Sequence, residues 1–226
     1  MPRRRRAVGV LVAVDDEHGQ RHHVPVRAGP SSLAVMRVGV YCGSNLGADP
    51  AYAEQAGLLG AELARRGIGL VYGGARVGMM GVLADAALAG GGEVIGVIPR
   101  DFAAFEIAHD GLTTIELVET MHARKARMIE LAAGFIVLPG GFGTLDEVFE
   151  ILTWNQLGLI AKPVVFFDVH GYYDNLFSFL DGSVVAGLLR GSHRSLAQRA
   201  SAVERAVDVA IEPIATGVAE PKWLDR

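Results

Sequence analysis

GFIVLPGGFGTLDEVFE, residues 134–150, contains the strand-to-helix step whose reading decides the fold. "GFIVLP" is a short apolar run next to glycine, the pattern of a buried strand. From Thr144 to about Ile160 the spacing predicts a helix. Gly140, Gly141 and Gly143 lie between. Glycines let backbone N–H groups approach a ligand closely, and a helix N-terminus favours anions. Yet Asp146 and Glu147 sit in the first turn of that helix, where an anion would bind. Either the acids cap the helix, or the site holds a phosphate and does carboxylate chemistry beside it. Thr144-Leu145-Asp146-Glu147 fits a capping box, so both alternatives stand.

The same alternation runs on both sides of this stretch. "RVGVYC", "IGLVYGG", "EVIGVIP", "TTIELVET" and "PVVFFDV" read as further strands. Asp49 and Pro50 read as N-cap and first residue of a helix that ends at Gly67. Helices are also predicted over "MMGVLADAALAGG", 121–132 and 172–185. A last one, to about Ile211, opens on a capping box at Ser201-Ala202-Val203-Glu204. Strands alternating with helices imply a parallel sheet covered on both faces. The predicted class is α/β, a single Rossmann-like doubly wound parallel sheet over residues 36–212. Residues 213–226 read as a tail.

Residues 1–35 read differently. Arg3 to Arg6 precede an apolar run from Ala7 to Val14, the outline of a signal peptide. Asp15, Asp16 and Glu17 follow directly, with no small-residue cleavage site, so a flexible extension is the expectation. The chain of 226 residues carries a net charge of −4, and half of it is hydrophobic, which argues for a globular protein without a broad nucleic-acid surface. Residues 36–226 hold 15 Lys and Arg against 22 Asp and Glu, so any phosphate site there is local. A single cysteine, Cys42, cannot form an internal disulfide, and a cytoplasmic location is expected. No apolar run reaches the ~20 residues that span a bilayer. His109, His170 and His193 lack the close spacing of a metal site, and neither metal nor cofactor is expected.

In doubly wound sheets ligands bind beyond the carboxyl ends of strands, where the strand order switches. Three predicted strands end in glycine-rich loops: Gly43-Ser44-Asn45, then 73–78, then 140–144. None carries the Gly-Lys-Ser/Thr of a P-loop or a full Gly-x-Gly-x-x-Gly, which argues against NAD. The helix over 121–132 carries His122, Arg124, Lys125 and Arg127. Such a cluster is commonly a solvated basic face. Arg124, however, lies near the helix start, where the dipole disfavours a cation. Glu147 or a bound phosphate would compensate it. Lys125 could form a Schiff base in a pyridoxal enzyme, but it has an arginine beside it and no evident aromatic stacking partner.

Together, "GGARVGMMG" (73–81), "IPR" (98–100), "MHARK" (121–125) and "PGGFGTLDE" (139–147) resemble the Lonely Guy family of cytokinin-activating phosphoribohydrolases, over residues 36–211. That resemblance implies a Rossmann-like fold and homodimers or larger assemblies. It implies cleavage of the N-glycosidic bond of N6-modified adenosine 5′-monophosphates to free base and ribose 5-phosphate. Arg124 and Glu147 fall on the family's catalytic positions. Substrate and phosphate contacts fall on Ser44, Gly74, Arg76, Gly78, Met121, Lys125, Gly140, Gly141, Gly143 and Thr144. Asn45 departs from the family pattern, where serine is commoner. The rival expectation is a nucleotide-binding or molybdenum-cofactor carrier protein of related fold, which would need the glycine loops but neither Arg124 nor Glu147. A homodimer is expected because residues 79–88 and 128–132 carry more apolar surface than a sheet face can cover. No nucleic-acid or membrane partner is expected.

Overall fold

A computed structural model describes residues 10–15, 21–26, 36–103 and 108–214. Most of the extension and of the tail therefore lies outside the described residues. Two units are distinct, residues 1–35 and 36–226. In the first, β1 (Val10–Asp15) and β2 (Arg21–Val26) pair antiparallel, two strands that the sequence reading did not assign.

The second unit is a seven-stranded, all-parallel sheet with helices on both faces. Its strands are β3 (Arg37–Tyr41), β4 (Gly69–Tyr72), β5 (Val94–Pro99), β6 (Thr114–Val118), β7 (Gly134–Val137), β8 (Val164–Phe167) and β9 (Ala197–Ala200). Their order is β6-β5-β4-β3-β7-β8-β9. The chain winds outward from β3 to β6, then returns to lay β7 against the other side of β3. The switch in strand order thus lies between β3 and β7.

On one face α1 (Pro50–Arg65), α2 (Gly78–Ala89) and α8 (Val203–Ile211) cover Val38, Val40, Leu70, Tyr72, Ile136 and Val165. On the other, α4 (Met121–Leu131), α5 (Phe142–Gln156) and α6 (Asp174–Val185) cover Tyr41, Val71, Phe135, Val137 and Phe166. Short helices α3 (Arg100–Ala103) and α7 (Gly191–Arg194) are the remaining helices among the described residues. Strands buried on both faces read as continuous apolar runs, which is why β3, β4, β5, β7 and β8 are legible in the sequence. Small residues let α1 and α2 touch: a Cβ on Gly60 would lie 2.3 Å from the Leu83 carbonyl oxygen.

The α1 start is as predicted: Asp49 accepts from the Ala51 N–H at 2.9 Å, and Pro50 follows. Neither predicted capping box forms. The N-cap of α8 is Ala202, with no side-chain cap bond, and α5 begins at Phe142, which places Thr144 inside the helix. The edge strand β9, "AQRA", was not predicted because it is four residues long and includes Gln198 and Arg199. The excess apolar surface expected on α2 and α4 is not found. Met79, Leu83, Met128 and Ile129 are all buried within this chain, against the sheet and the neighbouring helices.

Candidate active site

The loops after β3, β4 and β7 enclose a cleft of about 420 Å³ at the switch point. Ser44, Met121, Arg124, Gly140, Gly141, Gly143, Thr144 and Glu147 all line it, as expected from the sequence. Four expected residues do not. Gly74 turns at φ +78° and packs against Ile98 and Gly96 on β5. Gly78 seals two loops together, since a Cβ there would lie 2.2 Å from the Ser44 carbonyl oxygen. The Arg76 side chain is exposed. Lys125 turns away from the cleft: its Nζ lies 3.1 Å from Asp146 Oδ2 and 2.6 Å from Glu150 Oε2. These partners, Glu150 first, raise the Lys125 pKa against the opposing effect of burial. A Schiff-base lysine needs the reverse, an ammonium that loses its proton readily.

Arg124 and Glu147 meet inside the cleft. Thr120 caps α4, its hydroxyl accepting from the Ala123 N–H at 3.1 Å, and so sets the first turn that carries Arg124. Arg124 Nη2 donates to Glu147 Oε1 at 2.9 Å, with side-chain exposures of 16% and 10%. The anion that offsets this cation near a helix start is therefore Glu147. Gly73 makes the approach possible, because a Cβ there would lie 2.5 Å from Arg124 Nη2. Burial pushes the Glu147 carboxyl up to about 6, although Arg124 pulls the other way. Arg124 Nε and Tyr41 Oη are buried and have no hydrogen-bond partner among the described residues. Burial pushes the Cys42 thiol up to about 12, so it is no nucleophile at neutral pH.

The N-terminus of α5 forms another wall. The first intrahelical bond runs from the Leu145 N–H to the Gly141 carbonyl at 3.0 Å. The N–H groups of Phe142, Gly143 and Thr144 thus have no intrahelical acceptor and open on the cleft's edge. A Cβ on Gly141 or Gly143 would meet nothing within 4 Å, whereas one on Gly140 would collide with the Thr144 hydroxyl at 2.1 Å. Two of the three glycines leave space for a ligand, and the third lets Thr144 fold in. Such a terminus attracts phosphate.

Several lining residues were missed in the sequence. Tyr172, in the loop after β8, donates to the Gly140 carbonyl at 2.9 Å. Tyr173 donates to the Leu138 carbonyl at 2.7 Å, so two tyrosines brace the glycine loop from behind. Tyr52 on α1 meets Tyr172 edge to face at 5.6 Å, and Met79, Met80 and Phe142 add apolar surface. Phe142 is 95% exposed at the rim. The available signal was position: each follows the carboxyl end of a strand. Asp146 lines the cleft too, held by Lys125 with 65% of its side chain exposed.

Residues 80–210 match a family model described as "Possible lysine decarboxylase". The chain is 47% identical over 173 residues to a cytokinin riboside 5′-monophosphate phosphoribohydrolase of Rhodococcoides fascians, covering 76% of this chain and 86% of that one. It is 46% identical over 153 residues to one of Arabidopsis thaliana, covering 68% of this chain and 70% of the other. Among solved structures, the molybdenum cofactor binding protein of Rippkaea orientalis aligns with a TM-score of 0.59 at 22% identity, covering 78% of this chain and 96% of that one. The molybdenum cofactor carrier protein of Chlamydomonas reinhardtii aligns with a TM-score of 0.58 at 21% identity, covering 77% and 94%. At these identities the two structures share the fold with this chain.

Proposed function

The chain belongs to the family of the cytokinin riboside 5′-monophosphate phosphoribohydrolases, and from that premise we propose that its cleft hydrolyses the N-glycosidic bond of adenosine 5′-monophosphate and its N6-modified forms. The observation that carries this reading is the buried Arg124–Glu147 pair beside the α5 N-terminus. It answers the question raised by glycines followed at once by acids. The backbone N–H groups of residues 142–144, with Thr144, take the 5′-phosphate. Glu147, one turn further on, faces the ribose.

Breaking the bond between C1′ and the base builds positive charge on the ribose ring. A carboxylate beside C1′ steadies that charge and takes a proton from the attacking water as its oxygen bonds to C1′. The base leaves with the bonding electron pair and takes up a proton, giving free base and ribose 5-phosphate. With its pKa at about 6, Glu147 is mostly ionised at pH 7 and still basic enough to act. Arg124 stays protonated at working pH, so it orients Glu147 and contacts the substrate rather than giving up a proton. Incubating the protein with AMP and with N6-isopentenyl-AMP and separating the products by chromatography is the test. Free base from either supports hydrolysis; none from both overturns it and leaves a nucleotide-binding protein.

The same reading extends to assembly and location. We read the protein as a cytoplasmic homodimer. No helix among the described residues is long and apolar enough to cross a membrane. Apolar side chains stay exposed at Leu159, Phe179, Val185 and Leu188, at 65%, 69%, 90% and 83%. Light scattering at micromolar concentration is expected to give twice the 24.0 kDa of one chain. A monomer throughout that range contradicts the dimer.

Residues 1–35 are read as dispensable for the reaction. Among the described residues, the apolar cores and the lining of the cleft lie between Val38 and Ile211. Deleting 1–35 is expected to leave turnover within about twofold and the melting temperature within a few degrees, the scale of a change that touches no core contact. A large loss of either shows that the extension is an integral part of the domain.

A further inference from the structure

His109 belongs to no part of the chemistry above, yet it is buried and both ring nitrogens are engaged. Nδ1 accepts from the Gly111 N–H at 3.0 Å, which leaves Nε2 carrying the proton, 3.0 Å from Asp85 Oδ1 on α2. The backbone at the same position reaches the cleft wall. The His109 N–H donates to the Gly74 carbonyl at 3.0 Å, and Ala108 bridges Ala75 antiparallel. The imidazole is thus a strut. It ties the turn at 109–111 to α2, and that turn holds the loop after β4.

That loop is the wall behind the reacting pair. Gly73 leaves no room for even a Cβ beside Arg124 Nη2, the nitrogen that donates to Glu147. If the loop relaxes outward, the guanidinium gains freedom and Glu147 loses its fixed partner. We propose that His109 is a positioning residue: through Asp85 and the backbone bond to Gly74 it holds the loop at 73–75 against Arg124, and so keeps the Arg124–Glu147 pair in register. The proposal rests on the hydrolase reading for its effect on turnover, while the loop's rigidity can be measured without substrate. Asp85 lines no part of the cleft and its side chain is 73% exposed, so it gives an independent handle.

The test uses four variants of the full chain: His109→Ala, His109→Gln, Asp85→Ala and Asp85→Asn. Amide hydrogen exchange across 73–78 is measured without substrate, and kcat and KM for AMP well below the melting temperature. His109→Ala is expected to speed exchange at least about fivefold, as expected when a buried hydrogen-bonded strut is lost. It is also expected to lower kcat about ten- to hundredfold, the scale of a small misplacement of reacting groups. Asp85→Ala is expected to show a smaller loss in the same direction. Asp85→Asn, which keeps an acceptor for Nε2–H, and His109→Gln, which keeps a donor, are expected to recover part of it. Unchanged exchange, or an unchanged kcat in folded His109→Ala, overturns the proposal and leaves His109 as packing only. Should His109→Ala fail to fold, the Asp85 pair decides alone, with equal kcat for Asp85→Ala and the unmutated protein as the overturning result. If the unmutated protein releases no base from AMP or from N6-isopentenyl-AMP, the hydrolase reading fails and the exchange data still decide the strut.

Discussion

Glu147→Gln is expected to lower AMP turnover by about two to four orders of magnitude, the scale of a lost general acid–base group. Glutamine keeps an oxygen that can accept from Arg124 Nη2, but it cannot hold a proton from water or steady a cationic ribose with charge. Binding is expected to persist, since the change leaves the proposed phosphate contacts, the backbone N–H groups of 142–144 and Thr144, in place. No capping box is lost in the variant, because Thr144 lies inside α5 and Glu147 turns to Arg124. Two effects oppose each other: the variant loses an ion pair and also escapes the desolvation of a buried carboxylate. The melting temperature should shift by only a few degrees.

The pH dependence gives a second check on Glu147. Its folded pKa is raised from 4.5 to about 6, so its effect on stability is favourable below about pH 4.5 and is lost as pH rises through about 6. Glu147→Gln lacks this dependence. Its melting temperature relative to the unmutated protein should therefore be better at pH 7.5 than at pH 4. In the unmutated protein kcat/KM should fall on the acid side of about pH 6, where the base becomes protonated. Turnover of folded Glu147→Gln within a few-fold of normal at pH 7.5 would overturn the mechanism.

Arg124→Lys is expected to lose at least about a hundredfold in turnover, comparable to removing one aimed donor from an active site. A lysine keeps the charge but not the planar set of donors. Arg124 uses Nη2 on Glu147, presses that nitrogen against Gly73, and keeps Nε buried, without a partner among the described residues. A single ammonium cannot fill those positions together. Combining Arg124→Lys with Glu147→Gln should cost little more than the worse single change, because the two residues act as a unit. Full additivity in kcat would show that they act separately.

Much of this molecule is legible before any coordinates. Buried parallel strands must be apolar on both faces, so five of the seven main strands declare themselves as short apolar runs, and "TTIELVET" was readable by its alternation with helices. Asp49 and Pro50 mark a helix start because the cap is made within two residues of sequence. The three glycine loops and the pairing of Arg124 with an anion follow from local backbone freedom and from the helix dipole. By contrast, β9 depends on β8 being present to pair with it, and four residues with an exposed arginine carry no signal of their own. The capping boxes matched in spacing, but the helices start where the sheet delivers the chain, with the N-cap three residues earlier for α5 and one later for α8. The family resemblance also put Lys125, Arg76, Gly74 and Gly78 at the site. Only the packed structure shows Lys125 held by Asp146 and Glu150, or Gly78 sealed against Ser44. Tyr172, Tyr52 and His109 lie 20 residues or more from the loops or helices they brace, apart from His109's own turn, so no sequence period connects them to the cleft. Local sequence determined which elements form and where charge and glycine sit. Which side chains meet at the switch point was decided by the order of the strands, because that order sets the carboxyl ends of β4, β3 and β7 side by side at the centre of the sheet.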